Sequence, residues 1–237
     1  MPDCRMTLSA NAGIALALGR YHIWIDALHQ GKMPGFSTLD PQLLAQMQTH
    51  PDFQSPDVIC VTHCHKDHYS PELTARAQRR WPGACVIHPD PSFPGGHLLG
   101  STEETFVFDE LQLRFFRLPH AGKQQDAVVH YGLMVSLEGW NVLFAGDCEV
   151  ASPALADALK GQSVHLAVLD FPWFTLPRGR SFLRDILRPE RVVLCHIPFA
   201  RDDCWGYRKA VQRELEKLPQ VQNLHILQEP FQRVDII

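Results

Sequence analysis

The sequence predicts an α+β protein built as a four-layer αββα sandwich, and three observations carry that prediction. Strand-like apolar runs form two strand-rich halves, each followed by helices. A doubly wound sheet would instead place a longer helix between nearly every pair of strands. No GxGxxG follows the first strand and no GxxxxGK[ST] occurs anywhere, so the usual nucleotide fingerprints of wound sheets are missing.

The elements follow in chain order. Residues 6–26 alternate as a hairpin, with a turn at Gly19-Arg20 followed by YHIWID. Asp40 and Pro41 form an N-cap and first turn for a short helix over 41–49. VICVT (58–62) is a buried-strand pattern, and Ser70-Pro71 starts a helix that Pro82-Gly83 stops. ACVIH is a further strand, and 105–118 gives two strands around Asp109-Glu110. Residues 130–137 and 141–145 form a hairpin closed by Glu138-Gly139-Trp140. A helix at 153–160, the strand HLAVL, the helix SFLRDILR ended by Pro189, the strand RVVLC and a charged helix over 203–217 complete the chain.

With 237 residues, 45% hydrophobic and 20% charged, the chain has an ordinary globular composition. There is no low-complexity linker and no repeat of fixed period. The longest apolar runs fall well short of the ~18 residues of a membrane span, so no membrane partner is expected. The first ten residues, MPDCRMTLSA, show no signal-peptide core. A formal charge of −4 argues against a broad nucleic-acid footprint. Seven cysteines, an odd number without any CxxC, do not make a disulfide framework or a zinc ribbon. Cys60, Cys85 and Cys195 read as small buried hydrophobes, and a reducing, cytoplasmic location is expected.

The chemistry concentrates in VTHCHKDH, which places His63, His65, Asp67 and His68 within six positions between a strand and a helix start. On an extended segment His63 and His65 project to one face. Asp67 and His68 follow as the chain turns and can aim at a second point. Four near-adjacent residues fit poorly around a single tetrahedron, so two metals a few ångströms apart are the more natural arrangement. His120, Asp147 and His196 each lie just past an apolar strand, where a rigid scaffold presents reactive groups. A closed structural knot at 63–68 would leave those three without a purpose.

These residues resemble the metallo-β-lactamase fold superfamily: HCHKDH at 63–68 as its HxHxDH, His120, FAGDCE around Asp147 and VVLCHI around His196. The segment NAGIALALGRYHIWIDAL is similar to the first hairpin of that superfamily, which ends at an aspartate. The resemblance spans nearly the whole chain and implies one hydrolase domain over 1–237. It is nearest to the branch of ascorbate-6-phosphate lactonase and small phosphodiesterases. HAGKQQD at 120–126 replaces the GHTPGS of glyoxalase II and the true β-lactamases. The resemblance implies that His63, His65 and His120 hold one metal, that Asp67, His68 and His196 hold the second, and that Asp147 bridges them. It further implies two divalent cations, zinc by default and manganese or iron as alternatives. A metal-bridging hydroxide would then cleave a small ester, lactone or phosphodiester, with Asp67 also orienting the nucleophile. The alternatives are a nuclease or RNA-processing phosphodiesterase, which a short acidic chain disfavours, and a catalytically idle metal-binding protein of the same fold.

Other residues draw plainer readings. His130 is near His120 in sequence but begins a strand. Cys64, Cys148 and Cys195 neighbour proposed ligands and are expected to face away from them. His22, His88, His97, His165 and His225 read as surface or strand-edge residues, with His97 in a glycine-rich loop as a lesser candidate for the cleft. Asp170 is a candidate pocket residue, with Trp173 and Phe174 as an apolar wall. Arg178 and Arg180 read as solvated, with an anionic group of a small-molecule substrate as the alternative role. Specificity is assigned to loops 27–57, 90–104 and 171–182; oligomeric state is left open.

Overall fold

The structure is a computed structural model that describes residues 1–237 except 123, 124, 126, 218–222 and 237. Its strands in chain order are β1 (Cys4–Leu8), β2 (Ile14–Leu18), β3 (Tyr21–Ile25), β4 (Val58–Cys60), β5 (Cys85–His88), β6 (His97–Leu98) and β7 (Glu103–Phe108). There follow β8 (Leu111–Arg117), β9 (Tyr131–Leu137), β10 (Trp140–Phe144), β11 (Leu166–Asp170), β12 (Arg191–Cys195), β13 (Leu224–Ile226) and β14 (Arg233–Asp235). They form two seven-stranded sheets, ordered β14-β1-β2-β3-β4-β5-β6 and β13-β12-β11-β10-β9-β8-β7.

Both sheets repeat one pairing pattern. Reading from β14 or from β7, three antiparallel contacts are followed by three parallel ones. In consequence β1, β3 and β4 run the same way in one sheet, as do β8, β10, β11 and β12 in the other. Their carboxyl ends share a rim, which is where open sheets with parallel strands present ligand-binding groups.

Side-chain alternation sorts residues between layers. Val142, Phe144, Leu166 and Val168 share a core with Met6, Leu8, Leu16 and Ile23 of the first sheet. Their chain neighbours Leu143, Ala167 and Leu169 join a second core with Leu155, Trp173, Phe182 and Val211, under the helices that cover the second sheet. Strand β11 is therefore buried on both faces, and its uninterrupted LAVL run reflects that. The first sheet is covered by α1 (Pro41–Met47) and α2 (Pro71–Arg80). Asp40 caps α1 by accepting from Leu43 N at 2.9 Å, and Ser70 caps α2 by accepting from Leu73 N at 3.3 Å. Each turns an i, i+4 pair inward, Leu43 with Met47 and Leu73 with Ala77. Trp24 meets Phe53 and Trp81 at ring separations of 5.8 and 5.0 Å beneath them. The layers are thus the expected αββα.

Several elements depart from the sequence reading. Residues 6–26 belong to a three-stranded meander, because a turn at Asn11-Ala12 separates β1 from β2. β6, β13 and β14 have only two or three residues, too few for periodicity to register. The segment 171–182 is mostly helical, as α4 (Pro172–Thr175) and α5 (Pro177–Phe182), after α3 (Pro153–Ala158). A π turn extends α5 to Leu187. The last helix, α6 (Tyr207–Glu216), starts four residues later than expected because Asp203 caps it, accepting from Tyr207 N at 2.7 Å and Arg208 N at 3.0 Å. His88 is buried, its Nε2 donating to the Gly95 carbonyl at 2.7 Å, and not at a strand edge. All seven cysteines are free thiols. Among the described residues no helix is long and apolar enough to cross a membrane.

Leu133, fully buried between the sheets, gives the first prediction. Leu133→Ala should lose about 2–5 kcal/mol of stability in urea unfolding, the transfer term plus the cavity it leaves.

Candidate metal centre

The seven side chains singled out in the sequence converge at the shared rim. His63 Nε2 lies 3.1 Å from His65 Nδ1, and the ring of His120 is 4.9 and 4.6 Å from theirs. Beside this trio, His68 Nε2 is 3.0 Å from His196 Nε2, and Asp67 Oδ2 is 3.6 Å from His196 Nε2. Asp147 stands between the groups and divides its oxygens. Oδ2 faces His63 and His120 at 3.9 and 3.8 Å, and Oδ1 faces His68 and His196 at 3.3 and 3.4 Å.

The donor set suits metal ions. Neighbouring donors on a tetrahedral cation with bonds of 2.0–2.1 Å are about 3.3 Å apart, close to the spacings here. His63, His65, His120 and Asp147 form one set able to hold a cation, and Asp67, His68 and His196 another. His120 Nε2, Asp147 Oδ1 and Asp67 Oδ1 are buried with no hydrogen-bond partner, which for polar atoms in a protein interior calls for a further ligand. A third grouping, Asp26 with His63 and His68, is better explained by the hydrogen bonds of Asp26 itself.

Those bonds orient the imidazoles. Asp26 Oδ1 accepts from Thr62 N at 2.7 Å, and Oδ2 accepts from Thr62 Oγ1 at 2.6 Å and from His68 Nδ1 at 2.9 Å. Thr62 Oγ1, its proton given to Asp26, accepts from His63 Nδ1 at 3.0 Å. His120 Nδ1 donates to the Ala121 carbonyl at 2.8 Å. In all three rings the protonated nitrogen points away, so the Nε2 lone pair faces the centre. Asn11 clamps the second set: its Nδ2 donates to Asp67 Oδ2 at 3.0 Å and its carbonyl accepts from His196 N at 2.9 Å.

The backbone is strained at the same strand ends. Asn11, Asp26 and His196 have φ of 53°, 50° and 58°, a region costly for side-chain-bearing residues. Gly146, just before Asp147, has φ 55°, and a Cβ there would lie 2.5 Å from His130 Nε2.

Burial and charge work against each other here. Burial favours neutral His68 and His196, yet the Asp147 carboxylate, with Asp26 for His68, outweighs it and raises both. Burial likewise opposes an ionised Asp147, but His196 and His68 hold it well below the carboxylate range. Burial and the adjacent Asp147 push Asp170 up to about 8. Buried His29 donates from Nε2 to the Ala10 carbonyl at 3.0 Å, and burial brings its pKa down to about 4. His130 is not in either set. It is fully buried behind His63 and His120, at ring distances of 5.1 and 5.5 Å, with neither nitrogen partnered.

A cleft of about 470 Å³ opens over the cluster, lined by His65, His120 and Asp170 with Met33, Phe36 and Phe171. Asp170 therefore does reach the pocket, whereas Trp173 and Phe174 are buried in the outer core and do not form its wall. His97 is exposed against Phe106, 5.4 Å away, outside the cleft lining. Arg178 pairs with Glu149 at 3.6 Å, and Arg180 donates to the Phe174 carbonyl at 2.6 Å and pairs with Glu214 at 3.7 Å. Cys64 is exposed, and Cys148 and Cys195 pack in the cores. Of the three specificity loops, 27–57 and 171–182 supply lining residues and 90–104 supplies none. In HAGKQQD, residues 123, 124 and 126 lie outside the described ones. Asn11, Thr62, His29 and Phe36 were not singled out from the sequence as site residues. Only Thr62, next to His63, and Asn11, just past a strand, carried any local signal.

The αββα layers, the strand order and this rim define the metallo-β-lactamase fold. No protein-family model and no curated protein matches the sequence. Solved structures match along nearly the whole chain. A possible metal-dependent hydrolase from Veillonella parvula is 16% identical with TM-score 0.69, covering 98% of each chain. The isothiocyanate hydrolase from Delia radicum gut bacteria is 17% identical with TM-score 0.67, covering 97% of this chain and 98% of that one. The metallo-β-lactamase fold protein YhfI from Bacillus subtilis is 9% identical with TM-score 0.65, covering 99% of each.

Two outcomes follow. Gly146→Ala should destabilise by more than about 2 kcal/mol in thermal unfolding, since the new methyl meets both a costly left-handed φ and His130. His29 stays neutral in the folded chain down to about pH 4, against an ordinary value of 6.5. Its contribution is complete above pH 6.5 and falls as pH drops towards 4, because the unfolded chain binds the proton first. The slope is up to about 1.4 kcal/mol per pH unit, and His29→Gln should flatten it in urea unfolding run at several pH values.

Proposed function

We propose that residues 1–237 form one hydrolase domain with two divalent cations, which cleaves a small ester, lactone or phosphodiester. The observation that carries this reading is Asp147, whose two oxygens face two separate histidine sets at 3.3–3.9 Å. His63 Nε2, His65 Nδ1 and His120 Nε2 would hold one cation. His68 Nε2, His196 Nε2 and Asp67 Oδ2 would hold the other, with Asp147 between them. Zinc is the default for such nitrogen and carboxylate donors, and manganese or iron also suits them. When bound, two such cations would supply Lewis acidity that brings the pKa of a water down towards neutrality.

The chain's own groups do the rest. Asp26, Thr62 and the Ala121 carbonyl hold the imidazoles in register, so little reorganisation accompanies the reaction. Asn11 keeps Asp67 Oδ2 turned inward at 3.0 Å, leaving Oδ1 without a partner to orient the attacking water or take its proton. The cleft positions the substrate over the cluster. Similarity along nearly the full chain to structures described as a possible metal-dependent hydrolase and an isothiocyanate hydrolase supports hydrolysis as the reaction class.

Protein purified without chelator should contain close to two metal ions per chain by elemental analysis; none, with no uptake of zinc, manganese or iron, would sink this reading. Bis-p-nitrophenyl phosphate, p-nitrophenyl acetate and a homoserine lactone distinguish the bond attacked. Asp67→Ala should lower kcat at least 100-fold on whichever substrate reacts. Asp26→Ala should remain folded and weaken metal binding about 10–100-fold in chelator competition.

A further inference from the structure

The two sheets end in four outer strands, β14 and β6 in one and β13 and β7 in the other. Three of them are short: β6 has two residues, and β13 and β14 have three each. The fourth, β7, has six residues, EETFVF, without proline or glycine. Shortness is an ordinary protection of a sheet edge against pairing with another chain, and a long regular edge invites that pairing.

The free hydrogen-bonding groups of β7 form a regular row. The strand pairs with β8 along its whole length, from Glu103 opposite Phe116 to Phe108 opposite Leu111. Just before it, Arg117 N donates to the Thr102 carbonyl at 2.8 Å. Because bonded and non-bonded pairs alternate in an antiparallel ladder, Glu104, Phe106 and Phe108 exchange backbone bonds with β8. Glu103, Thr105 and Val107 therefore turn N–H and C=O outward, and among the described residues no hydrogen bond reaches them. The side chains of these three residues are exposed, Val107 to 65%, whereas Phe106 and Phe108 pack against the core between the sheets.

The charges on the strand are already engaged. Glu103 accepts from Nε and Nη2 of Arg114 at 2.8 and 2.9 Å, and Glu104 accepts from Gly100 N and Ser101 N, each at 2.8 Å. A second copy of β7 fits this edge. With a two-fold axis at Thr105, Thr105 faces its own copy, and Glu103 faces Val107 on either side. Each of these three pairs joins residues that turn outward, so each closes two backbone bonds. The axis then carries two β-branched threonines, a favourable cross-strand pair, and Val107 meets the methylene stem of Glu103. Each Glu103 brings its own Arg114, so the interface holds paired charges of both signs. An unrelated strand has no such built-in register.

We propose that the protein forms a two-fold dimer in which β7 of one copy pairs antiparallel with β7 of another about Thr105, so that the second sheet continues from copy to copy. The dimer is independent of the reaction proposed for the metal centre.

Sedimentation velocity of the full chain across a wide concentration range should show a dimer. Thr105→Pro removes an outward N–H and spares the bonds to β8, so it should raise the dimer Kd at least about tenfold. Thr105→Lys and Thr105→Glu change only an exposed side chain, so they keep the test valid if the proline variant does not fold. Each places like charges face to face on the axis and should dissociate the dimer, and mixing the two variants should restore it. The register is read by cross-linking. Thr105→Cys should form a disulfide-linked dimer on mild oxidation, because a bonded antiparallel pair holds its Cα atoms about 5.5 Å apart. Val107→Cys, which faces Glu103, should not exceed the parent, whose exposed Cys64 and Cys204 set the background. A parent that is monomeric at every concentration overturns the proposal and leaves the edge to a strand of another protein. A dimer unchanged by the three substitutions at Thr105, a lysine and glutamate mixture no more associated than either alone, or cross-linking through Val107→Cys in place of Thr105→Cys also overturns it.

Discussion

The buried Asp26 carboxylate is the contact on which the geometry of the cluster depends. It gathers a backbone N–H, a hydroxyl and an imidazole N–H, the first two from Thr62 and the third from His68. A carboxylate with only 3% of its surface exposed is costly unless its oxygens are fully engaged. Those same three donors fix the strand end after β4 against the strand end after β3. Through Thr62 the effect reaches His63, and through His68 it reaches the second histidine set. Removing the carboxylate would leave the donors without an acceptor and both rings free to turn.

The repeated pairing pattern explains why so many candidate ligand side chains arrive at one place. Asp26 follows β3, the last antiparallel strand of its sheet before the parallel half, and Asp147 follows β10 in the matching position of the other sheet. One aspartate orients histidines from behind; the other stands between them. Packing two such sheets face to face brings seven strand ends, from β1, β3, β4, β8, β10, β11 and β12, to one rim. The left-handed residues there, Asn11, Asp26, Gly146 and His196, let the chain turn sharply at the strand end and aim its side chain inward. Strain of this kind persists only where surrounding structure holds it, here the hydrogen bonds of Asn11 and Asp26.

The cleft adds a separate layer of meaning. A fold shared with proteins 9–17% identical fixes the scaffold and not the substrate. Local features must supply that, among them Met33, Phe36 and Phe171, which line the cleft beside His196.

Much of this was legible in the sequence, for physical reasons. Strand and helix patterns, proline and aspartate caps, and polar residues crowded just past apolar runs are local properties, readable wherever an element is long enough to show its period. The VTHCHKDH motif and its distant partners His120, Asp147 and His196 could be listed because each sits at a strand end. Strands of two or three residues left no period to read, and the late start of α6 depended on Asp203 folding back. Only the tertiary structure decided that Asp147 presents one oxygen to each histidine set, that Asn11 and Asp26 hold the cluster from behind, and that Phe36 and Phe171, not Trp173 and Phe174, line the cleft. Those facts are distances between segments far apart in sequence. They are set by how two sheets pack, and no local pattern encodes that packing.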